Sequence, residues 1–468
     1  MVKKDPWWLT VPWMQVAMAA GVGGVLLRQD PAFRAEAGVF ARQAALTVGA
    51  CSVLWWALKP APPQRDDEDE FAHFGVVGLS RSGKTGWAIL KVLEWQRRRW
   101  GWCWLSIKGG RGLLPYLPTG AVDSVDLICP GSPRPRGINI LRLLTQAPEE
   151  REQVADQLAE LVERLHPSTS DLMREMTRLG TLAILEYGVK NKREVALPDL
   201  YRFFASLTRR QEILGYSSNP TIRDAFDEES NSVQKTLEAV QRQIRRLLSS
   251  RALVLSLGRS GSDQVDLRKA MATGRGVIVD ASDTDLGPGQ ASLINEIIAS
   301  KIQMYTAQRS KEEPGYGVIA DEVQEYQGSG HSFRRGLALA AEFRVAWALI
   351  NQFREGQLTS TMQAAVNLAG THIFFRVAPA DAGPAVKTLG GATTADQLVQ
   401  LPKRHFWTVE RHDGRPVIRQ GQTLDLPAPD PEVERAIRRQ NERGPWAEAI
   451  LQSIYRAMGE SGGPKLWG

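Results

Sequence analysis

Eight consecutive residues, Gly78-Leu79-Ser80-Arg81-Ser82-Gly83-Lys84-Thr85, have the types and spacing of a loop that holds a nucleotide triphosphate, G-x-x-x-x-G-K-[ST]. Gly78 and Gly83 let the backbone turn its N–H groups inward, and the main chain of Ser80, Arg81 and Ser82 completes the cradle. Lys84 would reach the β- and γ-phosphates, and the Thr85 hydroxyl would face Mg²⁺. ATP and Mg²⁺ are therefore the expected cofactors. A second group is Val318-Ile319-Ala320-Asp321-Glu322, an apolar run that ends in two carboxylates. Asp321 would hold the metal, and Glu322 would polarise the attacking water as general base. A third is Asn351-Gln352 after another apolar run, where Gln352 would orient that water or sense the γ-phosphate. A turn or cap amide is the alternative for that pair.

These residues need a scaffold that brings them together. Phe74 to Val77 reads as a strand entering the loop, and Thr85 to Gln96 as the helix leaving it. Further strands are expected at 102–107, 124–129, 276–280, 317–321, 346–350, 371–377 and 405–410. Between 147 and 250 the period changes to that of helices, at 149–165, 171–187, 197–213 and 231–248. Strands alternating with helices indicate an α/β fold on a mostly parallel sheet, with an all-helical insertion. In such a sheet, Asp321 and Glu322 fall at a strand's carboxyl end, where the phosphate loop also lies.

At 468 residues the chain has room for several domains. A net charge of +6 is a weak pull toward phosphate-bearing partners. The three cysteines, Cys51, Cys103 and Cys129, form no metal or redox cluster. Residues 1–59 read as a membrane anchor, with spans at about 7–27 and 38–58. Trp7, Trp8 and Trp13 mark the interface near its start. A Pro-rich, then acidic linker follows at 60–70. The nucleotide-binding domain is expected at 71–146 and 251–427, and a tail at 428–468. A loop that uses ATP must face the cytoplasm, so two spans put both chain ends there.

The ordered set resembles the conjugative coupling proteins, type IV secretion ATPases of the FtsK–HerA superfamily. The resemblance runs through the two spans, the phosphate loop, and Trp104-Leu105-Ser106-Ile107-Lys108-Gly109-Gly110, similar to that family's Asp-Pro-Lys-Gly segment. It continues through Gly137-Ile138-Asn139-Ile140-Leu141, the helical insertion, Gly276 to Asp280, Val318 to Glu322, Ala348 to Gln352, and Phe374 to Val377 with Asp381-Ala382. The resemblance implies a RecA-like P-loop NTPase that assembles as a homo-hexamer with ATP between subunits. It implies a multi-pass protein of the bacterial inner membrane with its ATPase domain in the cytoplasm. Such a protein drives DNA, with a relaxase-type processing complex, toward the secretion channel and its ATPases. The basic run Gln241 to Arg246 is one place that could meet DNA phosphates.

Two departures stand out. The family's Asp and Pro are Ser106 and Ile107, and its trans-acting arginine falls on Ala341. Arg344 is the expected substitute, with Arg335 and Arg376 as further candidates. A slow or non-hydrolysing docking receptor for secretion substrates is the competing function. An ABC-type transporter subunit fits less well, because Gly287-Pro288-Gly289-Gln290 lacks the Leu-Ser that precedes such a signature loop.

Overall fold

The structure, a computed structural model, describes residues 71–459 apart from 167, 228–230, 249, 288, 327–335, 353–357 and 413–414. Nine strands form one sheet: β1 Phe74–Val77, β2 Gly101–Ser106, β3 Val125–Ile128, β4 Gly276–Val279, β5 Tyr316–Asp321, β6 Val345–Asn351, β7 Thr371–Phe374, β8 His405–His412 and β9 Arg415–Gln422. Their spatial order is β3-β4-β2-β5-β6-β1-β7-β8-β9. All pairings from β3 to β7 are parallel. β8 and β9 add an antiparallel hairpin at one edge.

Strands covered on both faces must be apolar at nearly every position, not at alternate ones. β2, β3, β4 and β6 are buried throughout, as Gly-Trp-Cys-Trp-Leu-Ser and Val-Ala-Trp-Ala-Leu-Ile-Asn show for β2 and β6. Cys103 and Cys129 are buried free thiols within this core. Cys51 and the two expected spans lie outside the described residues. Among the described residues, no helix is long and apolar enough to cross a membrane.

Between β3 and β4 the chain forms helices Pro148–Leu165, Asp171–Lys190, Leu197–Ala205, Leu207–Leu214, Pro220–Asp227 and Asn231–Leu247. Phe203, Phe204 and Phe226 meet edge-on within this block. The single helix expected at 197–213 is two. Ser206 leaves helical geometry with φ −127°, and its hydroxyl accepts from the Arg209 N–H as an N-cap. β9 was not foreseen either. Its residues are exposed or half-buried, and Pro416 interrupts the strand pattern.

The chain after Pro427 folds back as helices Pro431–Asn441 and Ala447–Met458. Asn441 closes the β3 edge. Its amide donates to the Val125 carbonyl (3.0 Å) and accepts from the Leu127 N–H (2.9 Å). That is the hydrogen bonding a further strand would provide. The final helix meets the helical block, and its Glu448 pairs with Arg251, which opens the helix Arg251–Leu257 just after that block.

Where the first helix of that block meets Gln290–Thr306, Lys301 is buried beside a cavity of about 30 Å³. Among the described residues its ammonium has no hydrogen-bond partner. Burial pulls its pKa down to about 7, against a raising pull from Glu150. The charged form is thus penalised in the folded state at any pH below about 7. The penalty shrinks as the unfolded amine also loses its proton and is gone above about 10.5. Lys301→Met is expected to stabilise the fold by about 2 kcal/mol at pH 6. Thermal unfolding from pH 6 to 10 should show that advantage fading as pH rises. An advantage that grew with pH would reverse the assignment.

Candidate nucleotide site

The carboxyl ends of the central strands line up in register. Val77 sits beside Asn351 on one side and Phe374 on the other. Asp321 sits beside Ile350 and Ser106. One strand, β6, separates the loop strand β1 from the carboxylate strand β5, so the two motifs are about 10 Å apart across the sheet. The loop after β1 is pinned by its neighbours. The Gly78 N–H donates to the Asn351 carbonyl (3.3 Å) and the Leu79 N–H to the Arg376 carbonyl (2.8 Å). Gly83 adopts φ +122°, and a Cβ there would lie 3.0 Å from the Arg404 Cα, so only glycine suits the position. The Arg404 N–H donates to the Ser82 carbonyl at 2.7 Å, tying the loop to the chain before β8.

Lys84 and Thr85 open the helix Lys84–Arg97, whose first N–H groups point at the loop. The Lys84 ammonium folds over the loop and donates to the carbonyls of Gly78 and, at 3.0 Å, Leu79. Burial draws its pKa below the ordinary amine value, while Glu322 and Asp321 pull the other way. Lys84 therefore shares an electrostatic site with both carboxylates. The Ser82 hydroxyl is buried with no partner among the described residues. So is Nε of Arg376, a half-buried residue whose backbone holds the loop. A buried donor left unpaired beside a phosphate loop fits an anion. A cavity of about 440 Å³ lies between Gly83–Gly86 and Arg404, Thr423 and Leu424, room for the sugar and base of a nucleotide whose phosphates occupy the loop.

Asp321 ends β5, and burial with the neighbouring Glu322 pushes its carboxyl up to about 6, against Lys108 and Lys84. A divalent cation would replace that strain with direct charge pairing. Glu322 takes left-handed backbone angles, φ +57°, and its carboxylate faces β2 and β6. It accepts from Lys108, from Gln324 at 2.5 Å and from Gln352 at 2.7 Å. Burial alone would raise its pKa, but these three donors hold it below the usual carboxylate range.

The structure thus brings Gly78–Thr85, Asp321, Glu322 and Gln352 to one edge of the sheet. Arg344 is elsewhere. It precedes β6, at the opposite end of a seven-residue strand, about 25 Å along the chain from Gln352. Its guanidinium donates to the carbonyls of Lys311 (2.9 Å) and Glu313 (3.2 Å) and lies over the Phe71 ring. Arg335 lies outside the described residues. Lys108, Gln324, Arg404 and Leu424 join the site without having been singled out for it. Only Lys108 had a signal, its place in the Ser-Ile-Lys-Gly segment.

No protein-family model and no curated protein sequence matches the chain. Solved structures do match its fold. The bacterial conjugative coupling protein TrwB is 12% identical with a TM-score of 0.57, covering 78% of this chain and 87% of that one. TrwB in complex with a non-hydrolysable ATP analogue gives 12% and 0.57, over 81% and 93%. VirB4 of Thermoanaerobacter pseudethanolicus gives 10% and 0.53, over 77% and 91%. The fold of this chain is thus shared over most of its length with a conjugative coupling protein, the group the motifs resemble, and with VirB4.

Proposed function

We propose that this chain is a motor of the conjugative coupling type. It hydrolyses ATP with Mg²⁺ and moves DNA, with its attached processing protein, toward a type IV secretion channel. The observation that carries the reading is the gathering of Lys84, Asp321, Glu322 and Gln352 at one sheet edge. It supports Thr85 and Asp321 as the metal's protein ligands, Lys84 as the phosphate clamp, and Glu322 as the base with Gln352 beside it. TrwB has been solved with ATP and GTP analogues and with ADP and Mg²⁺, which supports the same cofactors here. We place the ring of subunits at the bacterial inner membrane, anchored by residues 7–27 and 38–58. Arg376, whose backbone holds the phosphate loop, is the arginine we assign to the nucleotide of its own subunit. Arg344 would have to release two carbonyls before serving a neighbouring subunit.

The second reading, a docking receptor that turns over slowly, draws on Glu322. All three of its donors are in place, so little of its carboxylate is open to water. Steady-state turnover of the full chain in lipid vesicles, with and without single- or double-stranded DNA, decides between them. The motor reading expects DNA to raise the rate at least about tenfold. No turnover under any DNA condition would leave the docking receptor.

A further inference from the structure

We propose that Lys108 is a positioning residue, one that holds Glu322 out of reaction until the third phosphate of a bound nucleotide draws the ammonium away. The inference rests on Glu322 being the base. That carboxylate is only 4% exposed, and both its oxygens are used. Oε1 accepts from Lys108 and Gln352, and Oε2 from Gln324. Three of the carboxylate's roughly four lone-pair sites are thus taken, both of those on Oε1 among them, so Oε1 has none left with which to take a proton from water. Gln324 and Gln352 are neutral donors that orient the group. Lys108 alone brings a full charge.

The rest of its surroundings allow this one side chain to move and little else. Lys108 follows β2, the strand paired with β5, and its side chain is 59% exposed. Swinging it therefore breaks no packing. Its backbone is fixed on both sides. The Lys108 N–H donates to the Ser106 hydroxyl (3.2 Å), and Lys108 bridges to Ser282 across the loop. Gly109 turns through φ +81°, and a Cβ at Gly110 would lie 2.1 Å from Ile278. Arg111 then grips both oxygens of Asp280 at 3.1 Å. The tether is short and anchored, so the ammonium can travel only about the length of its own stem.

Charge supplies the trigger. Lys84, Lys108, Asp321 and Glu322 form a balanced group of two cations and two anions, and Lys108 is within electrostatic reach of Lys84. A γ-phosphate at the loop adds negative charge beside Lys84, and the exposed cation is the member free to answer it. Its departure uncovers Oε1, while Gln352 stays to orient the water.

The test compares Lys108→Met, which keeps the stem, and Lys108→Arg, which keeps the charge, with the unaltered full chain. Lys108→Met should raise basal kcat at saturating ATP by about fivefold or more, because in the parent Glu322 competes with the γ-phosphate for the ammonium and part of the ATP-bound protein stays locked, whereas the variant has no lock to open. KM for ATP should stay within about twofold, and Lys108→Arg should behave as the parent. Turnover that appears only in Lys108→Met would also support the lock. A basal kcat in Lys108→Met equal to or below the parent's overturns it, including the case where both are silent. Failure of the nucleotide reading shows elsewhere: binding of a fluorescent ATP analogue would then survive Lys84→Ala.

Discussion

Lys84→Ala is expected to lower ATP turnover by about a thousandfold and to weaken nucleotide binding, while leaving the fold intact. The phosphates of a bound nucleotide would sit where the Lys84 ammonium now donates to the carbonyls of Gly78 and Leu79. On binding, that cation exchanges two neutral acceptors for charged ones, and the gain is largest where charge grows on the transferring phosphoryl group. The variant loses this and keeps the loop, since the N–H groups and the helix start are backbone features. Stability should barely move. Two carbonyls lose a donor, worth about 1 kcal/mol each, but a buried cation disfavoured by its surroundings is also removed. Turnover, binding of a fluorescent ATP analogue and thermal unfolding are the three readings. Unchanged binding would dismiss the loop as the phosphate site.

Glu322→Gln separates binding from chemistry. The amide has nearly the shape of the carboxylate and can still accept from Gln324 or Gln352. It cannot accept a proton. Turnover should fall by about 10²- to 10⁴-fold, with KM for ATP changed by only a few fold. The split matters because Glu322 also pairs with Lys108. If that pairing were its whole purpose, the amide would retain most of the parent rate. More than a tenth of the parent kcat would assign the general base elsewhere.

Much of the site was legible because its parts are local in sequence. Gly78 to Thr85 carries its own geometry, and an apolar run ending in Asp321-Glu322 marks a strand's carboxyl end without reference to the rest of the chain. What was not legible depends on neighbours far away in sequence. Lys108 meets Glu322 only because β2 lies against β5, and nothing in the spacing of either segment states that pairing. Arg404 and Leu424 reach the loop because the chain before β8 and after β9 returns to it. β9 itself was hidden by an exposed, Arg- and Gln-rich strand that buries too little to show a period. Ser206 shows the opposite failure. The apolar period runs through it, and a hydroxyl cap breaks the helix where hydrophobicity alone would continue it.

The amide that finishes the sheet comes from far along the chain. Asn441 is 314 residues beyond Leu127, whose N–H it receives. At ordinary rates of synthesis, the ribosome takes about 15 to 60 s to cover that distance. For that interval the border strand of the nascent sheet has bare N–H and C=O groups, which invite strands from other unfinished chains. A transcript truncated shortly before this asparagine would leave its product in that condition permanently. Inclusion bodies, not a soluble fragment, are the fate such a product should meet.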